Sequence, residues 1–474
     1  MDFQENILRN FTRIASHPRP SGHEDVVAAD LAAWGREQGF TARVDNAKNV
    51  VIEVPASPGC EMAPVTILQG HTDMVCVAAD GVAFDPLTDV PKLVRDGDAL
   101  HASGTTLGAD DGLGLAISMT LAADPALRHG PLRILATADE EKGMSGAGAL
   151  DNAALDGKYL INLDSEEMGV LTNSSAGSQS YTLTLRAARI PAPYRWAFRI
   201  TFSGFRGGHS GVDIHKNRAN AICLLGRLLA SAPDFALASL SGGTAYNAIP
   251  TGISAVVVTD SPEALCHAVN TCRAYVRARY TEPDSARITL ESCPRPADTL
   301  PCAASRDAAS LIASLPCGVR TMSQDFDGLV ESSCSVGVVS LDGDTVTIGA
   351  FARSSVASRL LENEADYRRL AAAHGFTVSA SAPGTGWPVD PANPLEAMFT
   401  EAYRAVTGAE MTVSPIHAGL ECGSFAARNP KLSIVSVGPT ITGAHSPLET
   451  ADLSVLNDFT RVVAAVIEKI AAQV

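Results

Sequence analysis

The sequence of 474 residues has no long unbroken apolar run and no block of basic residues. No apolar stretch reaches the roughly 18 residues that a membrane-spanning helix requires, so we expect no membrane partner. The formal net charge of −16 argues against nucleic acid as a partner, because phosphate backbones attract basic surfaces. Residues 1–6 lack the apolar core of a secretory signal, and we therefore expect a cytoplasmic protein.

The ten cysteines are scattered and include no Cys-x-x-Cys pair. This pattern fits neither a disulfide framework nor a thiolate zinc site, and it favours a reducing compartment. The glycine-rich stretch at residues 108–114 is not followed by the Lys-Ser/Thr of a phosphate-binding loop. The sequence therefore gives no indication of nucleotide binding.

The length predicts two domains, because a single hydrophobic core rarely serves a chain of this size. Strand-like and helical segments alternate in the first part, which predicts an α/β domain with a mainly parallel sheet flanked by helices. The pattern changes near residues 190–193 and changes again at the Pro- and Gly-rich residues 383–388. We predict a discontinuous catalytic domain, residues 1–188 and 383–474, with an inserted α+β lid domain at residues 189–382.

One predicted helix start lies near the N-terminus. Ser21-Gly22-His23-Glu24 matches a capping box, in which the serine caps the helix and the glutamate returns a hydrogen bond. Apolar residues at helical spacing follow it. The sequence therefore predicts a helix that begins at this motif.

Acidic clusters recur where the predicted strands of the first domain end. A His-x-Asp motif at residues 71–73 is followed by acidic clusters at residues 110–111, 139–141 and 164–167, and a lone histidine, His445, comes late in the chain. Carboxylates crowded together repel one another unless a cation neutralises them or their pKa values rise. Two divalent metal ions would neutralise them, so we expect a metal-dependent hydrolase.

The residue types suggest a role for each member of this set. His71 and Asp73 share one side of an extended segment, so Asp73 can orient His71 as a metal ligand. Asp110 could bridge two metals, with the remaining ligand positions filled by Glu141, Asp164 and His445. Nitrogen and oxygen ligands together suit Zn²⁺, with Co²⁺ or Mn²⁺ as substitutes.

Glu140 is left over beside Glu141 and is therefore a candidate general base for a water that two zinc ions activate. Amide hydrolysis follows as the reaction class. Each motif taken singly has a simpler interpretation. A His-x-Asp motif can be a strand-end histidine beside an acid, Asp110-Asp111 can be a helix cap, and Glu140-Glu141 can be a solvated loop.

The motifs in order resemble a known family, the aminoacyl-histidine (Xaa-His) dipeptidases of the dinuclear zinc peptidase superfamily, which also includes aminoacylases. The resemblance covers nearly the whole chain and is carried by GHTDMV, GTTLGADDG, ADEE, NLDSEE, GGHSG, NAIP, HAGLECG and GPTITGAHSP. It implies two Zn²⁺ per chain and a homodimer whose geometry stays open. The implied metal ligands are His71, Asp110, Glu141, Asp164 and His445, with Asp110 bridging.

The resemblance also implies roles that the residues alone do not. Asp73 and Glu140 match the orienting acid and the catalytic carboxylate, and the peptide bond between Asp110 and Asp111 is expected to be cis. His209 matches a lid histidine that stabilises the developing oxyanion, although a histidine among glycines is otherwise usually an exposed loop residue. The implied substrate-binding residues are Asn247, Arg353, His417, Gly419 and Glu421. Among them Arg353 would grip a terminal carboxylate, although taken alone it could be a surface arginine at a strand end.

The expected activity is hydrolysis of the peptide bond of unblocked dipeptides, with a preference for C-terminal histidine. An N-acyl-amino-acid amidohydrolase with the same metal ions is the nearest alternative. A metal-loaded binding protein without catalytic activity is the alternative from another class, and the presence of Glu140 argues against it.

Overall fold

The computed structural model describes residues 3–283, 285–324 and 326–473. The helices are, in chain order, α1 (Gln4–Ala15), α2 (Asp25–Glu37), α3 (Ala109–Ala122), α4 (Glu140–Gly143), α5 (Ser145–Ala149), α6 (Ala221–Ala230), α7 (Pro262–Arg279), α8 (Cys302–Ser314), α9 (Ala357–Ala373), α10 (Pro394–Thr407), α11 (Cys422–Arg428) and α12 (Leu456–Ala471). Short 3₁₀ turns occur at Asn152–Leu155 and Leu453–Val455.

The strands are β1 (Thr41–Val44), β2 (Val50–Val54), β3 (Thr66–His71), β4 (Leu93–Asp96), β5 (Ala99–Ala102), β6 (Leu132–Thr137), β7 (Tyr159–Asn162), β8 (Val170–Ser175), β9 (Gly177–Arg186), β10 (Ile190–Pro191), β11 (Trp196–Ser203), β12 (Gly208–His209), β13 (Ala236–Gly242), β14 (Ala248–Ile249), β15 (Ile253–Thr259), β16 (Arg287–Ser292), β17 (Asp298–Thr299), β18 (Gly318–Met322), β19 (Val330–Asp342), β20 (Thr345–Ser354), β21 (Thr377–Ala380), β22 (Thr412–Ile416), β23 (Ser433–Ser436), β24 (Ile441–Thr442) and β25 (Thr450–Asp452).

The chain forms two compact units. The first comprises Met1–Ser175, Trp387–Pro415 and Leu420–Val474, and the second comprises Ala176–Gly386 and Ile416–Gly419. The α/β fold class is confirmed. The domain limits drawn from the sequence at 188/189 and 382/383 stay a prediction.

An eight-stranded sheet in the order β1-β2-β6-β3-β7-β23-β8-β22 organises the first unit. Its four central strands β6, β3, β7 and β23 are parallel. Strands β3 and β7 are buried along their whole length, as expected for parallel strands covered on both faces. Because parallel strands all end at the same edge of a sheet, the loops after β3, β6 and β7 lie close together there.

A separate four-stranded sheet in the order β24-β25-β5-β4 belongs to the same unit. Strands β24 and β25 pair antiparallel, and the loop between them contains His445 and Glu449. Strand β25 also pairs with β5, so this late hairpin lies beside the segment that leads to α3. The pairing therefore brings the last part of the chain to residues more than 300 positions earlier.

A nine-stranded sheet organises the second unit, in the order β16-β11-β15-β13-β19-β20-β9-β21 with β18 paired to β19. Its strand pairs are antiparallel. Helices α6, α7, α8 and α9 contribute apolar residues to the core that covers this sheet. Among the described residues, no helix is both long enough and apolar enough to cross a bilayer.

Candidate metal centre

Five side chains from distant parts of the first unit meet beside its parallel sheet. The Nε2 atom of His71, at the end of β3, lies 3.1 Å from Asp110 Oδ1 and 3.4 Å from Asp164 Oδ1. His445 Nε2 lies 3.1 Å from Asp110 Oδ2 and 3.0 Å from Glu141 Oε2. Each oxygen of Asp110 therefore faces a different imidazole, as a carboxylate shared between two ions requires.

The donor set suits divalent cations. Two ligand atoms bound tetrahedrally to one zinc ion at about 2.0–2.1 Å are roughly 3.3 Å apart, close to the spacings observed here. Glu141 Oε1 is buried and has no hydrogen-bond partner among the described residues. Burial is the main cause that raises the pKa of Asp164 to about 6. A bound cation would relieve each of these penalties.

Asp73 is fully buried directly behind His71. Its Oδ1 atom lies 3.5 Å from His71 Nδ1, and its carboxylate accepts hydrogen bonds from the Ser21 hydroxyl at 2.7 Å and the Glu140 amide at 3.0 Å. Burial alone would raise the pKa of Asp73, but hydrogen bonds, that from His71 foremost, lower it to about 2. Asp73 is thus held as a carboxylate in contact with both His71 and the loop after β6.

Glu140 begins α4 beside this cluster. Burial and the nearby charges of Asp164, Glu421 and Glu141 raise the pKa of Glu140 well above its usual value. The preceding residue, Asp139, has a positive φ of 58°, a conformation that is uncommon outside glycine. This backbone turn starts α4 at Glu140, so Glu140 and Glu141 are the first two residues of that helix.

Asp110 and Asp111 have different roles, although they are adjacent. The peptide bond between them is cis, which confirms the expectation from the sequence. The Asp111 carboxylate is buried and accepts hydrogen bonds from the Gly114 amide at 3.1 Å and the His71 amide at 3.2 Å. Asp110 and Asp111 have non-helical backbone angles, so the regular part of α3 begins after them. The helix-cap interpretation therefore holds for Asp111, while the Asp110 side chain faces the two histidines.

Glu449 is buried and was not among the site residues predicted from the sequence. Its carboxylate accepts hydrogen bonds from four successive amides, those of Leu107, Gly108, Ala109 and Asp110, at 2.7–3.3 Å. These amides form the loop that leads into the cis bond. The signal in the sequence that could have pointed to Glu449 is its position four residues after His445. That position does not reveal its role, because its hydrogen-bond partners lie about 340 positions away in the chain.

Arg19, also missed, is buried on the same loops. Its guanidinium donates to the carbonyls of Thr72 at 2.9 Å and Asp73 at 2.8 Å, and also to the carbonyl of Gly108. Gly108 has a φ of +73°, and a Cβ atom there would collide with Arg19. One arginine therefore joins the loop after β3 to the loop before α3.

The capping-box prediction was wrong. Helix α2 begins at Asp25, and no side chain caps it. The Ser21 hydroxyl instead donates to Asp73, while Glu24 accepts from the amides of Gly22 and Asp139. Both side chains serve the loops of the site because the tertiary fold offers these partners in place of the helix amides.

In the second unit, His209, Arg353 and His417 form another polar cluster. Val212 N–H donates to His209 Nδ1 at 3.1 Å, so a neutral ring has its proton on Nε2. That atom lies 3.0 Å from Arg353 Nη2, and two donors then face each other. Arg353 is buried, and its Nε has no hydrogen-bond partner among the described residues. An anionic oxygen would give Arg353 Nε an acceptor.

His417 is buried beside this arginine. Its Nε2 lies 2.7 Å from the Ser333 hydroxyl. Burial, reinforced by the charges of Arg353, His209 and His215, lowers the pKa of His417 to about 3. The imidazole is therefore neutral at physiological pH and can accept or donate a single hydrogen bond on its other nitrogen.

The remaining candidate residues have different surroundings. Asn247 is exposed, and its carbonyl accepts from the Ser210 amide, while Gly419 is half-buried in the segment Ile416–Gly419. Glu421 is fully buried in the first unit, where it accepts from Gln69 at 2.7 Å and Thr137 at 2.6 Å. Burial raises the pKa of Glu421 to about 8. A direct substrate contact by Glu421 stays a prediction that this burial does not favour.

Comparison with known proteins places these clusters in context. Residues 67–469 match Peptidase family M20/M25/M40. The chain is 35% identical to the cytosol non-specific dipeptidase of Escherichia coli (strain K12), over 98% of this chain and 97% of that one. It is similar in structure to an aminoacylhistidine dipeptidase from Vibrio alginolyticus, with a TM-score of 0.83 and 33% identity over 98% of this chain and 96% of that one. Aminopeptidase PepT from Bacillus cereus ATCC 10987, at 15% identity and a TM-score of 0.59 over 99% of each chain, shares the fold.

Proposed function

The chain belongs to peptidase family M20/M25/M40, and from this premise we propose that it is a cytoplasmic dipeptidase acting on unblocked dipeptides, including those with C-terminal histidine. The family and its metallopeptidase class are established by the comparisons, and the similar proteins from Escherichia coli and Vibrio alginolyticus are named as dipeptidases. The observation that carries the proposal is the convergence of two imidazoles and three carboxylates, with Glu140 directly before Glu141 in the chain.

In this proposal the metal site holds two Zn²⁺ per chain, which Co²⁺ or Mn²⁺ can replace. His71 and Asp164 would bind one ion and His445 and Glu141 the other, while Asp110 would bridge them through its two oxygens. The contacts that support this division are those of each histidine to a different Asp110 oxygen. Asp73 would hold the His71 ring in the orientation that ligation needs.

Bound divalent cations would supply Lewis acidity toward the scissile carbonyl and the attacking water. Glu140 would take the proton from that water and later deliver it to the leaving amine, so one carboxylate would act first as base and then as acid. Its backbone N–H donates to Asp73 at 3.0 Å, which holds the backbone from which the Glu140 side chain extends.

We propose that the second unit supplies donors for the oxygens of the substrate. His209, protonated on Nε2, would donate to the developing oxyanion, and Arg353 would bind the terminal carboxylate. The close approach of Arg353 Nη2 to His209 Nε2 supports these roles, as does Arg353 Nε, which has no hydrogen-bond partner within the described ranges. Asn247, His417 and Gly419 stay predicted substrate contacts, and a homodimer stays the predicted assembly.

The proposal is tested by combining metal analysis with turnover of a small substrate panel. We expect about two metal ions per chain and hydrolysis of free Xaa-His and Xaa-Leu dipeptides, with loss of activity on chelation and recovery when Zn²⁺ is added back. The same dipeptides carrying an N-acetyl group are the matched comparison. Faster hydrolysis of the acetylated forms would refute the dipeptidase assignment and favour an N-acyl-amino-acid amidohydrolase.

A further inference from the structure

The second unit contains a cavity of about 320 Å³ that none of the proposed catalytic or metal-binding residues lines. The first turn of α6, the C-terminal end of α7 and the start of β18 form its walls. Its volume is at the lower end of the range for small-molecule sites in proteins. A small ligand of a few functional groups would therefore fit it.

Basic side chains line this cavity. They are Arg218, Arg227, Arg279 and His215, and among the described residues no aspartate or glutamate lines it. This composition is unusual in a chain whose formal net charge is −16. Three guanidinium groups around one cavity repel one another, and an anion in the cavity would relieve this repulsion.

Most of this basic charge is not matched by nearby carboxylates. Arg218 is paired with Asp213 at 3.0 Å, but Arg227 donates to the hydroxyl of Tyr275 at 3.1 Å and makes no ion pair within the described ranges. Glu282, the next acidic residue along the chain after α7, is occupied by the amides of Arg206 and Ala219. The arginines of the cavity thus keep donors that a ligand could use.

Two buried polar atoms at the cavity lack partners in the part of the chain that the structure describes. Ser335 is 1% exposed, and its hydroxyl makes no hydrogen bond. The Arg218 Nε atom is also buried and makes no hydrogen bond. A buried hydroxyl without a partner is costly, so a group that accepts from Ser335 would stabilise the site.

The N-terminus of α6 adds a further favourable element. Asn220 caps this ten-residue helix through the Cys223 amide, and Asn220, Cys223 and Leu224 all line the cavity. The positive end of the helix dipole therefore acts on the same space as the arginines. Charge, an unsatisfied buried hydroxyl and helix polarity all favour a negatively charged ligand.

We propose that this cavity is a binding site for a small polyanion that carries phosphate or carboxylate groups. Arg227 and Arg279 would bind its charged oxygens through paired N–H donors, because the guanidinium fork matches both groups. The Ser335 hydroxyl would donate to a further oxygen of the same ligand. The site does not depend on the proposed metal centre or on peptide hydrolysis.

Titration calorimetry on the metal-loaded protein tests this, with inorganic phosphate and succinate as separate probes at fixed ionic strength. We expect saturable binding of at least one probe with a Kd below about 1 mM, and a Kd at least about tenfold higher in Arg227→Gln/Arg279→Gln. Whichever probe binds identifies the preferred group. Arg277→Gln is the matched control, since this exposed arginine lies on α7 and does not line the cavity.

Ser335→Ala gives a second measurement that leaves the charge unchanged. We expect this variant to weaken probe binding several-fold while its melting temperature without probe stays the same or rises, because an unsatisfied buried hydroxyl is removed. Absence of binding by both probes would overturn the proposal. If the double arginine variant binds the probe as well as the wild type does, the probe binds elsewhere, at the metal ions for example. That result would also overturn the proposal.

Discussion

The two units carry polar clusters of opposite character. The first unit gathers Asp110, Glu141 and Asp164 around two histidines, where the parallel strands end. The second unit gathers Arg353, from its antiparallel sheet, with the imidazoles of His209 and His417. An excess of buried carboxylates requires a cation, whereas a buried guanidinium requires acceptor oxygens. In the function proposed here, the first unit therefore binds metal and the second unit binds the oxygens of the substrate.

The two sheets assemble their clusters by different means. In the first unit, parallel strands bring the loops that carry His71, Glu141 and Asp164 to one edge. The antiparallel pairing of β25 with β5 adds His445, which meets Asp110 across 335 positions of the chain. In the antiparallel sheet the register itself aligns neighbours, and Ser333 lies directly opposite Arg353. A substitution in the first unit should therefore act mainly on metal binding or proton transfer, and one in the second unit mainly on substrate.

The largest effect is expected for Glu140→Gln. Removing the proposed proton carrier should lower kcat by about 10²–10⁴-fold, while metal content stays the same. Turnover and metal analysis of the same preparation measure both. Glu167→Gln is the control, because this carboxylate is exposed in the loop that follows β7. Normal turnover by Glu140→Gln would refute the proposed role of Glu140 as the proton carrier.

His209→Ala tests the second unit. We expect kcat to fall by about 10²–10³-fold if His209 stabilises the oxyanion, with metal content unchanged. His267→Ala, which removes an exposed histidine of α7, is the control. A change confined to KM would contradict the oxyanion role and would assign His209 to ground-state binding.

Glu449→Gln tests how the first unit holds Asp110. An amide has one oxygen in place of two and turns an N–H donor toward backbone amides, so the loop at residues 107–110 should lose its position. We expect metal affinity to fall by about 10–100-fold, as measured by competition with a chelator. Glu468→Gln on α12 is an exposed control. Wild-type affinity would show that Glu449 only stabilises the fold.

The smallest effect is expected for Arg353→Lys. The charge remains, but a lysine cannot form paired hydrogen bonds to a carboxylate, so KM for a free dipeptide should rise about tenfold with a smaller change in kcat. Arg199→Lys, on an exposed position of β11, is the control. For a dipeptide amide, which lacks the terminal carboxylate, wild type and variant should have the same KM. If the difference persists, Arg353 binds another part of the substrate.

Much of the candidate site could be predicted, because metal ligation and proton transfer need particular types of side chain. The two histidines and three acids that were named as ligands all lie in one cluster. Their roles as ligands stay predictions until metal is measured. Local motifs were less reliable, since Ser21 and Glu24 fit a capping box and yet bond to Asp73 and Asp139.

The sequence by itself determined the family, the fold class and the acidic motifs, because motif order and strand-end position are properties of the linear chain. Only the tertiary structure decided that Glu449 holds the loop before Asp110, that Arg19 joins two loops and that Glu421 is buried. Hydrogen-bond partners more than 300 residues apart depend on strand pairing and packing. No local pattern in the chain encodes them, so the supporting residues of the site could be identified only in the folded protein.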